Sequence, residues 1–277
     1  MNTEILQKFV KTHKNFLIAF GVMLIAYYPS LLWMWGRWFS SDSYYSHGVL
    51  VPFVSLYLIW QLREKLAQIP VKPAKTGLSL IIGGTLFYLL CAEFRINFAA
   101  GYAMYIVFVG LLLHFFGWKI CRKIAFPVFF LIFMLPLPTV VIVRLSWQLK
   151  MFAAQLATVV LNNLRVPAVQ EGSIILMRHA EVVVDDVCSG LRSLIALAAL
   201  GTLFAYWFKG PWYKKGILVL STIPVAIVTN MMRVVILAMI SEIWGAQYIE
   251  GFIHETTGYL IFVFAFLIMY FLCKVME

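Results

Sequence analysis

Charge is scarce in this chain. Of 277 residues only 12% are charged, against 63% hydrophobic, and the mean hydropathy is +0.91. That excludes an ordinary soluble domain, because a globule of this size has too little interior to hide so much apolar surface. Cysteine is also sparse. The four, at positions 91, 121, 188 and 273, form no CxxC pair, which excludes a disulfide framework and a zinc module. Acidic residues number 12 against 22 Lys and Arg, a net charge of +10. The basic residues fall in short clusters between apolar runs, so the surplus reads as membrane orientation and not as a nucleic-acid surface. Walker A, GxGxxG, HExxH and GxSxG motifs are all missing, and with them any call for a nucleotide, a metal or another cofactor. Internal repeats and low-complexity stretches are missing too.

What is present is a series of long apolar runs. The first, 16–38, is too long for a signal-peptide core and lacks a small-residue cleavage site, so it reads as a retained span. Further spans are expected at 47–62, 76–92, 98–116, 120–138, 188–208, 216–240 and 256–273, eight in total, with the second unusually short. The basic residues support this count. Lys8, Lys11 and Lys14 precede span one; Arg63, Lys65, Lys72 and Lys75 separate two from three. Lys119, Arg122 and Lys123 separate four from five, Lys209, Lys214 and Lys215 separate six from seven, and Lys274 follows eight. Every second connection is basic, as a cytoplasmic side requires, whereas 39–46 and 241–255 hold no Lys or Arg. Both termini are therefore expected on the cytoplasmic side.

The connection 139–187 is different. Residues 140–164 are apolar with Arg144, Gln148, Lys150, Gln155, Asn162 and Asn163 interspersed, the pattern of an amphipathic helix at the outer interface. A half-crossing span is the competing reading. Two β-rich runs follow, 172–177 and 181–184, around the polar break Arg178-His179-Ala180, which predicts a hairpin. The expected fold is an all-α polytopic membrane protein of about eight transmembrane helices, one integral membrane domain over 1–277. It carries a small β-hairpin and an amphipathic helix on its outer face.

The hairpin delivers the chain to a polar island, Asp185-Asp186-Val187-Cys188-Ser189-Gly190-Leu191-Arg192-Ser193. Helix rise converts position into depth. Cys188 lies 21 residues before Lys209, about 31 Å and close to the hydrocarbon thickness. Arg233 is 18 residues beyond Lys215, about 27 Å up. His254 is 20 residues before Lys274, about 30 Å away. Three chemically capable side chains thus share one depth on the outer side; lateral distance is not fixed by this count.

Each has two readings. Cys188 is a small buried packing residue, or a nucleophile whose pKa is lowered by the N–H groups and dipole of a helix start. Asp185 and Asp186 are read as caps of that helix. Arg233 is an interfacial anchor or an intramembrane functional group, with Asn230 one turn earlier on the same face. His254 is a plain residue of a helix start or an acid/base group. His47, in Ser46-His47-Gly48, is the rival imidazole, and His179 reads as a solvated turn residue. Cys, His and Arg together have a specific logic: a thiolate attacks a carbonyl, an imidazole protonates the leaving amine, and a guanidinium binds the oxyanion.

At this point the motifs resemble those of the exosortase/archaeosortase family. Cys188-Ser189-Gly190-Leu191-Arg192-Ser193 heads one span, Asn230-Met231-Met232-Arg233 lies in the next, and His254 precedes the last. Ser46-His47-Gly48 with Val51-Pro52 is similar to the amino-terminal part of bacterial exosortases. The resemblance runs from about 40 to 270. It implies a membrane-embedded cysteine transpeptidase of the bacterial plasma (inner) membrane. Its partners would be exported substrate proteins that end in a sorting signal: a short motif such as Pro-Glu-Pro, a transmembrane helix, and a basic tail. The acyl group would pass to an amine-bearing acceptor. Carried over, the nucleophile is Cys188, the oxyanion-binding cation Arg233 and the acid/base His254, with Ser189, Gly190, Arg192 and Asn230 supporting. The archaeal branch tends to have Arg at the last of the three positions, so His254 points to the bacterial one. The alternatives are a transporter or channel lined by Arg233 and the carboxylates, and a lipid-linked glycan or acyl transferase using His254 and the Asp pair. No inverted repeat supports the first of these.

Overall fold

The computed structural model of the chain describes residues 3–40, 43–185, 188–245, 247 and 252–276. It divides into two compact units, Met1–Leu137 and Pro138–Glu277.

The first unit is helical. Helices α1 (Thr3–Ala26) and α2 (Tyr28–Phe39) meet at a bend of 69°, with Pro29 in the first turn of α2. Pro fits a helix start, where its missing N–H has no partner to lose, and it ends the helix before it. A 3-10 turn, Ser46–Val49, leads into α3 (Val51–Gln61) and the short α4 (Arg63–Ala67). Then come α5 (Lys75–Glu93) and α6 (Asn97–Lys123), which is non-helical at Gly117, and α7 (Ala125–Phe130) with a further 3-10 turn, Leu131–Met134. Met23, Tyr27, Met34, Met104, Val107, Leu111 and Leu135 form its main core.

The second unit carries the site. It begins with α8 (Thr139–Asn163), the helix expected at 140–164. Asn162 then bonds both the N–H (3.0 Å) and the carbonyl (2.9 Å) of Ala168, turning the chain into a sheet. That sheet has three antiparallel strands in the order β1-β2-β3: β1 (Ala168–Glu171), β2 (Ile174–Met177) and β3 (Glu181–Val183). The hairpin is therefore real, and β1 is an addition to it. After the sheet come α9 (Leu191–Trp207), α10 (Trp212–Leu220), α11 (Thr222–Trp244) and α12 (Phe252–Met276). Ala153, Ala154 and Ala157 let α8 lie close to Val234, Leu237 and Ala238 of α11, and Ile175 and Val182 of the sheet close the same cluster. Leu197, Leu218, Ala226, Ala265 and Met269 join α9, α10, α11 and α12 in a second cluster.

The surface is that of a membrane protein. The apolar window of α12 is only 11% buried and that of α5 17%, which leaves both helices dressed for lipid. Among the described residues four helices are long and apolar enough to cross a membrane, or up to six if each bent pair is one span. The expected eight is not confirmed, because three of the runs give short helices: 120–138 yields α7, six residues long, with a 3-10 turn of four. Residues 47–62 yield α3, 11 residues long, and 188–208 yield α9, 17 residues long, against about 20 for a full crossing.

Candidate active site

The polar island folds as a turn and not as a helix start. α9 begins at Leu191, three residues after Cys188, with Gly190 at its N-cap in the left-handed region (φ 80°). The Cys188 N–H donates to the Asp185 carbonyl at 2.9 Å, and the Leu191 N–H reaches Ser189 Oγ at 3.4 Å. The N-cap of α9 is Gly190, so Asp185 is not the cap expected of it; it is exposed, and its main chain closes the Cys188 turn. Asp186 lies outside the described residues.

Cys188 is 6% exposed and packed in the cluster that joins α8, the sheet and α11. Burial therefore pushes its thiol above the ordinary value; the Arg233 guanidinium pulls it back down, and the Asp185 carboxylate pushes it up. This corrects the expectation of a thiol lowered by a helix dipole. The helix starts too late to reach it, and burial is the larger effect.

The turn is seated on α11. Asn230, 5% exposed, donates from Nδ2 to the Cys188 carbonyl at 2.9 Å. It also fills the space above Gly190. A Cβ built on Gly190 would lie 2.7 Å from Asn230 Cγ and 2.9 Å from both Cβ and Nδ2. Glycine is needed there twice over, for its φ and for the close approach.

Arg233 follows Asn230 by three residues on α11 and is half-buried. Its charge acts on Cys188, and that of Arg192, in the first turn of α9, acts on Arg233. Its guanidinium rests against α12 at Gly258, where a Cβ would lie 3.3 Å from Nη2 and 3.5 Å from Cζ. Four residues before Gly258, on the same face of α12, is His254, whose main chain lies in the first turn of the helix. The His254 side chain lies outside the described residues. Structure thus brings Cys188, Ser189, Gly190, Arg192, Asn230 and Arg233 into one neighbourhood and lays the guanidinium against the helix that carries His254. A pocket of about 10 Å³, room for roughly one water, adjoins the turn, lined by Ser189, Gly190, Asn230 and the apolar Leu149, Phe152 and Leu194 among others.

The other imidazoles are placed differently. His47 belongs to the first unit, with its ring stacked on Tyr45 at 6.0 Å and bonded to the Phe133 main chain. His179, in the β2–β3 turn, is solvated, with a side chain 69% exposed, but it is also held: its N–H and Nδ1 each lie 3.0 Å from a Glu242 oxygen. Glu242 ends α11, so this pair ties the sheet to the helix that carries Asn230 and Arg233. Sequence reasoning missed Glu242 and Gly258. An acidic residue in an otherwise apolar helix end was the signal for the first; nothing local marks the second. Among the described residues no group of three or more His, Cys, Asp and Glu is gathered as metal ligands would be.

No curated protein and no solved structure matches this chain. A family model does: the one described as transmembrane exosortase (Exosortase_EpsH) matches residues 33–271, most of the chain. By that match, and in keeping with its apolar helices, this protein belongs to the transmembrane exosortase family.

Proposed function

We propose that the protein is a membrane-embedded cysteine transpeptidase acting on exported proteins that end in a sorting signal of short motif, transmembrane helix and basic tail. The observation that carries this reading is the position of Arg233. Its charge acts on the Cys188 thiol, and its guanidinium lies against α12 at Gly258, four residues after His254 in the chain.

In the proposed reaction, Cys188 gives up its proton to His254 and Sγ attacks the scissile carbonyl carbon. Negative charge moves to the carbonyl oxygen, where Arg233 stabilises it. The C–N bond breaks, His254 delivers a proton to the leaving amine, and a thioester remains on Cys188. An acceptor amine then attacks the thioester, loses a proton to His254 and returns the thiolate. A thiol held protonated at rest by burial, beside a guanidinium that favours its anion, is poised for substrate to complete the site. The basic tail of a substrate obeys the same positive-inside rule as the enzyme, with both termini of the enzyme cytoplasmic. Its motif therefore meets the site on the outer face of the plasma membrane.

The test is co-expression with a tagged substrate ending in motif, helix and basic tail. Cys188→Ala is expected to leave it uncut, and Arg233→Lys to slow cutting strongly, because a point charge replaces a planar fork. Full processing by Cys188→Ala overturns the reading.

A further inference from the structure

We infer that Asn230 is a positioning residue for the nucleophile: it fixes the direction in which Cys188 presents its thiol to Arg233. This inference rests on the reading of Cys188 as the nucleophile and gives Asn230 a specific task in it.

An amide buried in an apolar helix is destabilising unless hydrogen-bonded. The hydroxyls nearest it on α11 settle that locally: Thr222 Oγ1 donates to the Val219 carbonyl at 2.6 Å and Thr229 Oγ1 to the Val225 carbonyl at 2.7 Å. Asn230 does not bond its own helix in that way. It reaches a residue 42 positions away in sequence, and the group it reaches is the carbonyl of Cys188 itself. A carbonyl only accepts, so the amide nitrogen must face it.

The same side chain touches the turn at a second point. With its Cγ, Cβ and Nδ2 all within 2.9 Å of where a Gly190 Cβ would stand, the amide lies against the Gly190 backbone. Cys188 is thus held by its carbonyl, and the residue two ahead by its Cα, from one rigid platform. On its other side the Cys188 N–H is tied to the Asp185 carbonyl. The peptide plane that follows the nucleophile is thus fixed to α11, and the one before it is closed into the turn by Asp185. Arg233 sits three residues further on that helix, so nucleophile and guanidinium share one frame of reference. A residue that merely filled space needs neither the directed bond nor the left-handed glycine beneath it.

The experiment compares Asn230→Ala, Asn230→Asp and Thr229→Ala in the full-length protein, reconstituted in liposomes, with a tagged substrate. Asp is nearly isosteric but turns the donor into an acceptor facing a carbonyl, so it keeps the shape while losing the bond. Thr229→Ala removes a neighbouring buried hydroxyl, 1% exposed, that donates to the Val225 and Ala226 carbonyls of its own helix. A nucleophile swung off its line loses rate and not substrate affinity. Both Asn230 variants are expected to lower kcat about tenfold or more with KM within about twofold, while Thr229→Ala stays within about twofold in both. Wild-type kcat in Asn230→Asp, or a fall in Thr229→Ala as large as in Asn230→Ala, overturns the inference and leaves a packing role. Cys188→Ala run alongside separates the two levels. If it still processes substrate, the nucleophile reading fails and the positioning role with it. If it is inactive while the Asn230 variants are not, only the positioning role fails.

Discussion

Gly258 offers a test in which stability and activity move apart. It sits within α12, where a Gly→Ala exchange ordinarily gains about 1 kcal/mol in helix propensity. Its absent side chain is also the space against which the Arg233 guanidinium lies, with Nη2 at 3.3 Å and Cζ at 3.5 Å from an added Cβ. The contact with Nη2 is tight and that with Cζ ordinary, so Nη2 must give way by a few tenths of an ångström, at about 0.5–1.5 kcal/mol if Arg233 leaves its rotamer well. The two effects nearly cancel, and Gly258→Ala is expected to unfold within about 1 kcal/mol of wild type. Processing is another matter. A displacement of 1 Å in a positioned group costs about a hundredfold, so Ala is expected to slow cutting roughly three- to tenfold. Gly258→Leu, with three more carbons aimed at the guanidinium, is expected to slow it about a hundredfold. The assay pairs thermal unfolding in detergent with initial rates on a tagged substrate. Gly83 of α5, where an added Cβ meets nothing within 4 Å, provides the control, since Gly83→Ala should gain stability and keep its rate. A folded Gly258→Leu protein that cuts at the wild-type rate refutes the proposed role of Arg233.

Reaction of Cys188 with iodoacetamide, followed by peptide mass spectrometry, should rise with pH to a midpoint above that of an ordinary thiol. Arg233→Gln should move this midpoint further up and Asp185→Asn down, because the first pulls the thiol down and the second pushes it up. Since the folded state holds this proton more tightly than the unfolded chain, the protein should lose stability as pH climbs through the thiol range; a gain contradicts the burial argument. Gly190→Ala should destabilise by about 2–4 kcal/mol, from about 1–2 for the left-handed backbone and the remainder for moving the Asn230 amide. A neutral outcome in a thermal melt is incompatible with that contact. Glu242→Gln should release the β2–β3 turn from α11 at a cost of about 1 kcal/mol, modest because the His179 ring is well exposed. Faster amide exchange over 177–182 is the readout, and unchanged exchange speaks against the tie.

Hydropathy made much of this fold legible. The runs at 76–92, 98–116, 216–240 and 256–273 became α5, α6, α11 and α12, and the amphipathic pattern of 140–164 became α8. The count of crossings was less legible, because an apolar run does not say whether it is straight, bent or short. The bend at Tyr27 and the break after Met134 decide that, and they depend on local backbone geometry. β1 was missed because Ala168-Val169-Gln170-Glu171 alternates weakly; it becomes a strand by pairing with β2 and by the Asn162 bonds at its first residue. Depth counting put Cys188 and Arg233 at one level, and the fold brings them together laterally. The thiol's pKa ran opposite to expectation, because Ser189-Gly190 delays the helix and packing outweighs any dipole. Contacts that need two distant segments, such as Asn230 with the Cys188 carbonyl, leave no periodicity to read.

The central claim is that Cys188 forms a covalent acyl intermediate. The direct measurement is mass spectrometry of the enzyme after rapid acid quench in the presence of substrate and without acceptor amine. The account predicts a substrate fragment joined to the peptide containing Cys188 through a bond cleaved by hydroxylamine, and no such adduct in Cys188→Ala. Substrate cut at the normal rate with Cys188 unmodified, or an adduct on another residue, contradicts it.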